Sequence, residues 1–343
     1  MDLGPPKAPL KDALDAWLVA WDPRERLPND PVELVHRYRS PADIEVAGLL
    51  ASSLAYGRVD LFKPALAGLL DRMGPSPADF CRTMETRADW LGLEDFTYRF
   101  NRGADLGCLF WACGEALRVH GGLGPLFLRC LEESRAAGKR GAPRGGLLRD
   151  ALAAFSGWLR GRDFGPVVRR LGPPRALGHL LPSPESGGAC KRLNLYLRWM
   201  VRGPDAIDFG IWELDPSLLV VPLDTHLARM ARVLGLTRRR DLSWKTAEEI
   251  TGALRRLDPT DPTRYDFALC HFGMSGACPP GPRAARRAPS ALAPDPRRTP
   301  VRAGWGGGEA KLPPRPPGGR AESCRACPLR PACPTGRRIT GRR

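Results

Sequence analysis

DIEVAGLLASSLAY, residues Asp43 to Tyr56, is apolar on nearly every helical face. A helix with one apolar stripe lies on the surface of a domain, whereas a helix apolar all round lies at its centre. The stretch therefore predicts a buried central helix with other helices packed around it. Gly74-Pro-Ser-Pro77 breaks the chain downstream. Helical patterns then follow over Leu106–Val119, Leu126–Ala136 and Leu147–Leu159, with Pro125 suited to a first helical turn. No alternating strand pattern is sustained, and the fold class is mainly α.

The chain has 343 residues, 43% of them hydrophobic, enough for a substantial core. Apolar runs such as Leu218-Leu-Val-Val221 stop too soon to span a bilayer, and the first residues lack the pattern of an export signal. A cytoplasmic protein without a membrane partner is expected. The net charge of +16 favours polyanionic partners through counterion release. That charge is uneven: residues 279–323 carry +6 and the last ten residues +4. The Pro/Arg-rich span 279–323 has almost no large apolar residue to offset its ordering entropy and is expected to be a disordered insertion between residues 1–275 and a Cys-rich loop and basic tail, 324–343.

Three constellations carry candidate chemistry. Cys324, Cys327 and Cys333 form C-x2-C-x5-C, and Cys278 precedes them. Such spacing suits zinc or an iron–sulfur cluster, against the alternative of unrelated reduced thiols. Closing the loop from Cys278 instead of from a neighbour about 6 residues away costs only about 2 kcal/mol more in chain entropy. Cys270 is a weaker ligand candidate because its flanks place it inside a helix.

In Pro222-Leu-Asp-Thr-His226 and the residues after it, Leu227, Met230, Ala231 and Leu234 fall at i, i+3, i+4 and i+7. Asp224 then opens a helix, where an N-cap role suffices to explain it, and His226 by itself reads as a packed histidine. The third constellation starts at the Gly187-Gly188 turn. Lys191, Asn194, Arg198 and Arg202 share one face of the following helix, opposite Leu193, Tyr196, Leu197 and Met200. A Gly-rich turn feeding a basic helix suits a phosphate, and a solvated basic face is the alternative.

The order of these motifs resembles the helix-hairpin-helix DNA glycosylases of the endonuclease III type. Ala268 to Cys278 is similar to the phrase in which that superfamily places its first cluster ligand. HRYRSPADIEVAGLLASSLAYGR, ACKRLNLYLRWMVR, DFGIW, PLDTH and RYDFAL, spread from His36 to Leu269, are similar to an uncharacterised bacterial domain-of-unknown-function family, number 2400. The resemblance implies a two-lobed α-helical architecture with double-stranded, damaged or abasic DNA crossing the cleft, and a target base flipped into a pocket. It implies Asp224 as the carboxylate that stabilises the sugar cation or activates the nucleophile, and Lys191 as a Schiff-base former. It further implies DNA contacts from Gly187, Gly188, Arg192, Asn194, Arg198 and His226. Tyr56 and Arg58, flanking Gly57, would fill the gap left by the flipped base. A [4Fe–4S] cluster on Cys278, Cys324, Cys327 and Cys333, or zinc in its place, completes the expectation, in a monomer associated with the nucleoid. The usual hairpin phrase is replaced by Leu181-Pro-Ser-Pro-Glu-Ser-Gly-Gly188, so a non-catalytic nucleic-acid-binding protein of the same fold stands beside the glycosylase. A zinc-ribbon protein acting on RNA or a protein partner is the third reading.

Overall fold

The structure is a computed structural model that describes residues 8–87, 90–138, 144–278, 324, 327–330 and 332–334. The expected insertion and most of the basic tail lie outside these residues. The described chain is mainly helical. Ahead of the central helix come α1 (Ala8–Ala20) and the short α2 (Val32–Val35); α3 (Pro41–Leu54) is the central helix itself. There follow α4 (Val59–Met73), α5 (Pro77–Thr83), α6 (Gly103–Val119), α7 (Leu123–Ala137) and α8 (Arg144–Arg160). The chain continues through α9 (Gly165–Leu171), α10 (Leu177–Leu180), α11 (Lys191–Val201), α12 (Thr225–Leu234), α13 (Trp244–Arg255) and α14 (Asp266–Met274). The one sheet among the described residues is an antiparallel pair, Thr97–Tyr98 with Asn101–Arg102.

Helix α3 holds the central place its composition predicts. It packs against α2, α4, α5, α6, α7 and α11, and Asp43 through Leu54 are all buried. Its two acids, exceptions in an apolar stretch, serve as caps for neighbouring helices. The Asp43 carboxylate accepts from the Ala78 amide (2.9 Å) and the Ser76 hydroxyl (2.7 Å) at the start of α5. Glu45 accepts from the Leu123 and Gly124 amides opening α7 (2.7 and 2.9 Å) and from the Trp212 indole (2.8 Å). Orphan N–H groups and the positive end of each helix dipole are thereby satisfied inside the protein.

Two glycines set the spacing of the helices that matter below. A Cβ on Gly48 would lie 2.8 Å from Met200 Cε, so the missing side chain lets α3 and α11 close on each other. A Cβ on Gly273 would lie 3.1 Å from His226, where α14 meets the start of α12. Along its length α14 is also fastened to α1 and the residue after it: Tyr265 donates to Asp15 at 2.6 Å, and Trp17 and Trp21 pack edge-on against Phe272 and Phe267. The buried apolar side chains, from Leu10 through Leu269 and including Leu329 and Ala332, make one connected core.

Candidate functional site

The site is built where α12 begins. Leu227, Met230, Ala231 and Leu234 are buried along the stripe the sequence shows, and Gly235 ends the helix in the left-handed conformation. Asp224 is the N-cap. Its Oδ1 accepts from the amides of His226 (2.9 Å) and Leu227 (2.8 Å), which leaves Oδ2 turned away from the helix. Two groups from other helices meet that oxygen. Lys191 Nζ, on the first residue of α11, stands 3.6 Å away. Cys270 Sγ, on α14, donates to it at 3.5 Å. N-capping and a meeting with Lys191 are therefore both true of Asp224, one oxygen for each.

This meeting point forms part of the wall of a cavity of about 410 Å³. Tyr56, Gly57, Val59 and Phe62 contribute from the end of α3 and the start of α4; Asp30 comes from the segment before α2, and Asp266, Cys270 and His271 come from α14. Lys191 is one-third exposed and Asp224 about one-sixth, so both face the cavity while remaining open to solvent. His271 Nε2 lies 3.4 Å from Asp30 Oδ2 on the same wall. Burial pushes the Cys270 thiol well above its ordinary value, and the neighbouring Asp224 carboxylate adds to the rise. Cys270 is accordingly a neutral donor to Asp224.

Of the other residues of the expected DNA surface, Tyr56, Arg198 and His226 also border the cavity, and the rest lie outside it. Arg198 and Asn194 are buried. Arg198 Nη1 is 3.1 Å from Asp208 Oδ1 and its Nε is 2.8 Å from Asp266 Oδ1. Arg202 joins Asp205, Asp208 and Asp261 at 2.6–2.7 Å. The shared polar face of α11 is real, but it turns inward onto acids contributed by distant segments, so the expectation that Arg198 offers its charge to phosphate is corrected. Asn194 likewise turns back to the Ala189 carbonyl (3.0 Å) and holds the turn that precedes α11. The Gly187-Gly188 turn is stitched to residues 242–244: the Trp244 amide donates to Gly187 O at 2.9 Å, and Gly188 bridges to Ser243. The Gly187 amide is taken by Pro184 O.

Arg192 donates to the His179 carbonyl and lies over the Tyr56 ring, 5.2 Å from its centroid. Burial lowers its pKa to about 10. The Tyr56 hydroxyl donates to Asn101 Oδ1 at 2.5 Å, and its ring stacks on Phe100, whose side chain is half exposed. Arg58 is exposed and paired with Asp60. His226 lines the cavity while its backbone packs on Gly273.

Residues 30–275 match the family described as "Protein of unknown function (DUF2400)". The chain belongs to this family. Comparison with curated proteins and with solved structures found no match. In this DUF2400 protein the matched span contains every cavity residue named above, Asp30 being its first residue, and it ends just short of Cys278. The four expected metal ligands thus lie beyond it. Cys324 and Cys333 are buried, and Cys278 and Cys327 partly so. Burial pushes the Cys278 thiol up to about 11; Arg229 opposes the rise, and the thiols of Cys327, Cys333 and Cys324 add to it. Arg229 ties Cys278 to α12 by donating to its carbonyl at 2.5 Å. Among the described residues no three His, Cys, Asp or Glu side chains stand in a metal-chelating arrangement. No described helix is long and apolar enough to cross a membrane.

Proposed function

We propose that this DUF2400 protein is a DNA base-excision N-glycosylase with an abasic-site lyase step, taking a flipped, damaged base into the cavity. The observation that carries the reading is the convergence of Lys191 and Asp224, 3.6 Å apart, on a cavity within the range of about 300–1,000 Å³ typical of small-molecule sites. As the glycosidic bond breaks, positive charge develops on the sugar. Asp224 Oδ2, not engaged by the helix cap, is the anion placed to stabilise it. The Lys191 amine, once deprotonated, attacks C1′ and forms a Schiff base, with Asp224 near enough to take the proton it sheds. DNA would approach over the exposed side of Arg58, Arg192 and the Gly187-Gly188 turn, with Tyr56 beside the vacated position. The two-lobed architecture and a DNA-crossed cleft belong to the same proposal.

Cys278, Cys324, Cys327 and Cys333 have the donor chemistry of a thiolate-ligated group, while among the described residues their side chains are not drawn into a chelating arrangement. They would hold a [4Fe–4S] cluster, with zinc as the alternative, and the group would cross-link the chain beyond α14 to α12. Protein purified without oxygen is expected to be brown with broad visible absorption, and Cys327→Ser to be colourless. Stoichiometric zinc in a colourless wild type would select the alternative.

Borohydride reduction in the presence of abasic duplex DNA tests the central claim. The wild type is expected to form a covalent adduct, and Lys191→Ala to form none. Adduct at an unchanged level in Lys191→Ala would remove Lys191 from the chemistry. A second reading, a nucleic-acid-binding protein without catalysis, draws on the stitched Gly187-Gly188 turn and the inward-facing Arg198. It requires tight, salt-sensitive DNA binding with no adduct and no released base.

A further inference from the structure

Behind the Lys191–Asp224 pair the cavity wall contains a second carboxyl group. Asp266 opens α14, is 1% exposed and lines the cavity. It lies four residues before Cys270, so the two share one face of α14 about 5–6 Å apart, with Cys270 touching Asp224. Asp266 Oδ1 is ion-paired with Arg198 Nε at 2.8 Å, while Oδ2 makes no side-chain hydrogen bond among the described residues, and the Phe267 amide is the one backbone group that acts on the carboxyl. Orphaned polar atoms are rare in interiors because each forfeits its hydration without replacement. Here the orphan borders the space a ligand would fill.

Carboxyls outnumber guanidiniums around it. Arg198 and Arg202 are shared among Asp205, Asp208, Asp261 and Asp266, four carboxyls for two guanidiniums. Asp208 and Asp266 are the two that are fully buried. Asp208 has both oxygens engaged by arginines and does not border the cavity, whereas Asp266 does.

We infer that Asp266 is a proton donor to the ligand in this cavity, acting on the departing base while Asp224 and Lys191 act on the sugar. This rests on the base-excision reading. As the C–N glycosidic bond breaks, its electron pair leaves on the base and the Asp266 proton passes to the base. Water or the Lys191 amine forms the new bond at C1′, and the proton that nucleophile sheds returns to the carboxylates. Burial supports the assignment by raising the Asp266 pKa to about 6, with Arg198, Arg202 and the Phe267 amide opposing and Asp261 assisting. Lys191, Arg198, Asp30, Asp224, His226, Cys270 and His271 also face the cavity.

Two measurements test it. In the ligand-free protein, carbon NMR of aspartate carboxyls should show a resonance titrating well above the ordinary carboxylate range that disappears in Asp266→Asn. A resonance assigned to Asp266 that titrates in the ordinary range overturns the inference whatever the enzyme does. In the functional arm, Asp266→Asn should slow release of an intact damaged base about a hundredfold, while borohydride trapping on preformed abasic DNA, which needs no base protonation, stays at the wild-type level. Equal loss of release and trapping in Asp266→Asn, or release at the wild-type rate, also overturns it. A wild type that neither traps nor releases base overturns the base-excision reading together with the donor role, and the NMR arm then reports only on where the proton sits.

Discussion

Asp224→Asn should reduce base release by about 10²- to 10⁴-fold, the usual range for loss of one acid–base or charge-stabilising side chain, and leave duplex affinity and folding nearly unchanged. The reason lies in the division of labour between its two oxygens. The amide oxygen of Asn can still accept from the His226 and Leu227 amides, and Asn caps helices about as well as Asp, so α12 stays in place. What is lost is the negative charge at Oδ2, the oxygen that meets Lys191 and Cys270. Asp224→Ala removes the cap too and should lower stability by about 1 kcal/mol, which makes Asn the cleaner variant. Release kinetics on a lesion-bearing duplex, beside a binding isotherm at fixed salt, is the measurement. An Asn variant that releases base at the wild-type rate removes Asp224 from the reaction and leaves it a helix cap only.

What the sequence makes legible is local, and what it hides is pairing at a distance. The uniform apolarity of Asp43–Tyr56 and the i, i+3, i+4, i+7 stripe after Asp224 are written in consecutive residues, and both helices form where they are read. Asp224 and Lys191 each stand out alone, one as a cap and one in a basic run. Their convergence depends on how α11 and α12 are placed, which Gly48 and Gly273 help to set by permitting close approach. The face of α11 was legible as polar but not as inward, because the acids that receive Arg198 come from a loop ten residues on and from the first residue of α14. A solvated basic face and a buried ion-paired one have the same periodicity. Cys270 shows the same limit: its helical flanks set it apart from metal ligands, yet no local signal shows that its thiol reaches Asp224, 46 residues away in the chain. Asp266 stands in the RYDFAL phrase four residues before Cys270, a spacing that puts the two on one helical face without revealing what that face meets.

Replacing Arg198 by Met should destabilise the protein by roughly 3–5 kcal/mol at neutral pH, the effect of breaking a buried ion pair from one side. Met fills much of the same volume, so a cavity term contributes little and the loss is chiefly electrostatic. Arg198 is the one described cation in ion-pair contact with Asp266, while Asp208 would keep Arg202 at 2.7 Å. The damage should therefore concentrate at Asp266 and have a pH signature. Burial already raises Asp208 to about 7 and Asp266 to about 6, against the arginines that hold them down. A carboxyl whose folded pKa lies above its unfolded value binds its proton more tightly when folded. Its favourable contribution is present at low pH and fades as pH rises through the folded value. Without Arg198 both carboxyls protonate more readily still, so the penalty should be largest near pH 8 and shrink toward pH 5, where a neutral Asp266 needs no cation. Urea unfolding of wild type and variant at the two pH values checks this. A penalty that is the same at both would mean that the loss comes from packing and that Asp266 does not hold the proton. Asp266→Asn should rescue much of the Arg198→Met loss at pH 8, because removing the stranded charge removes the reason for the instability.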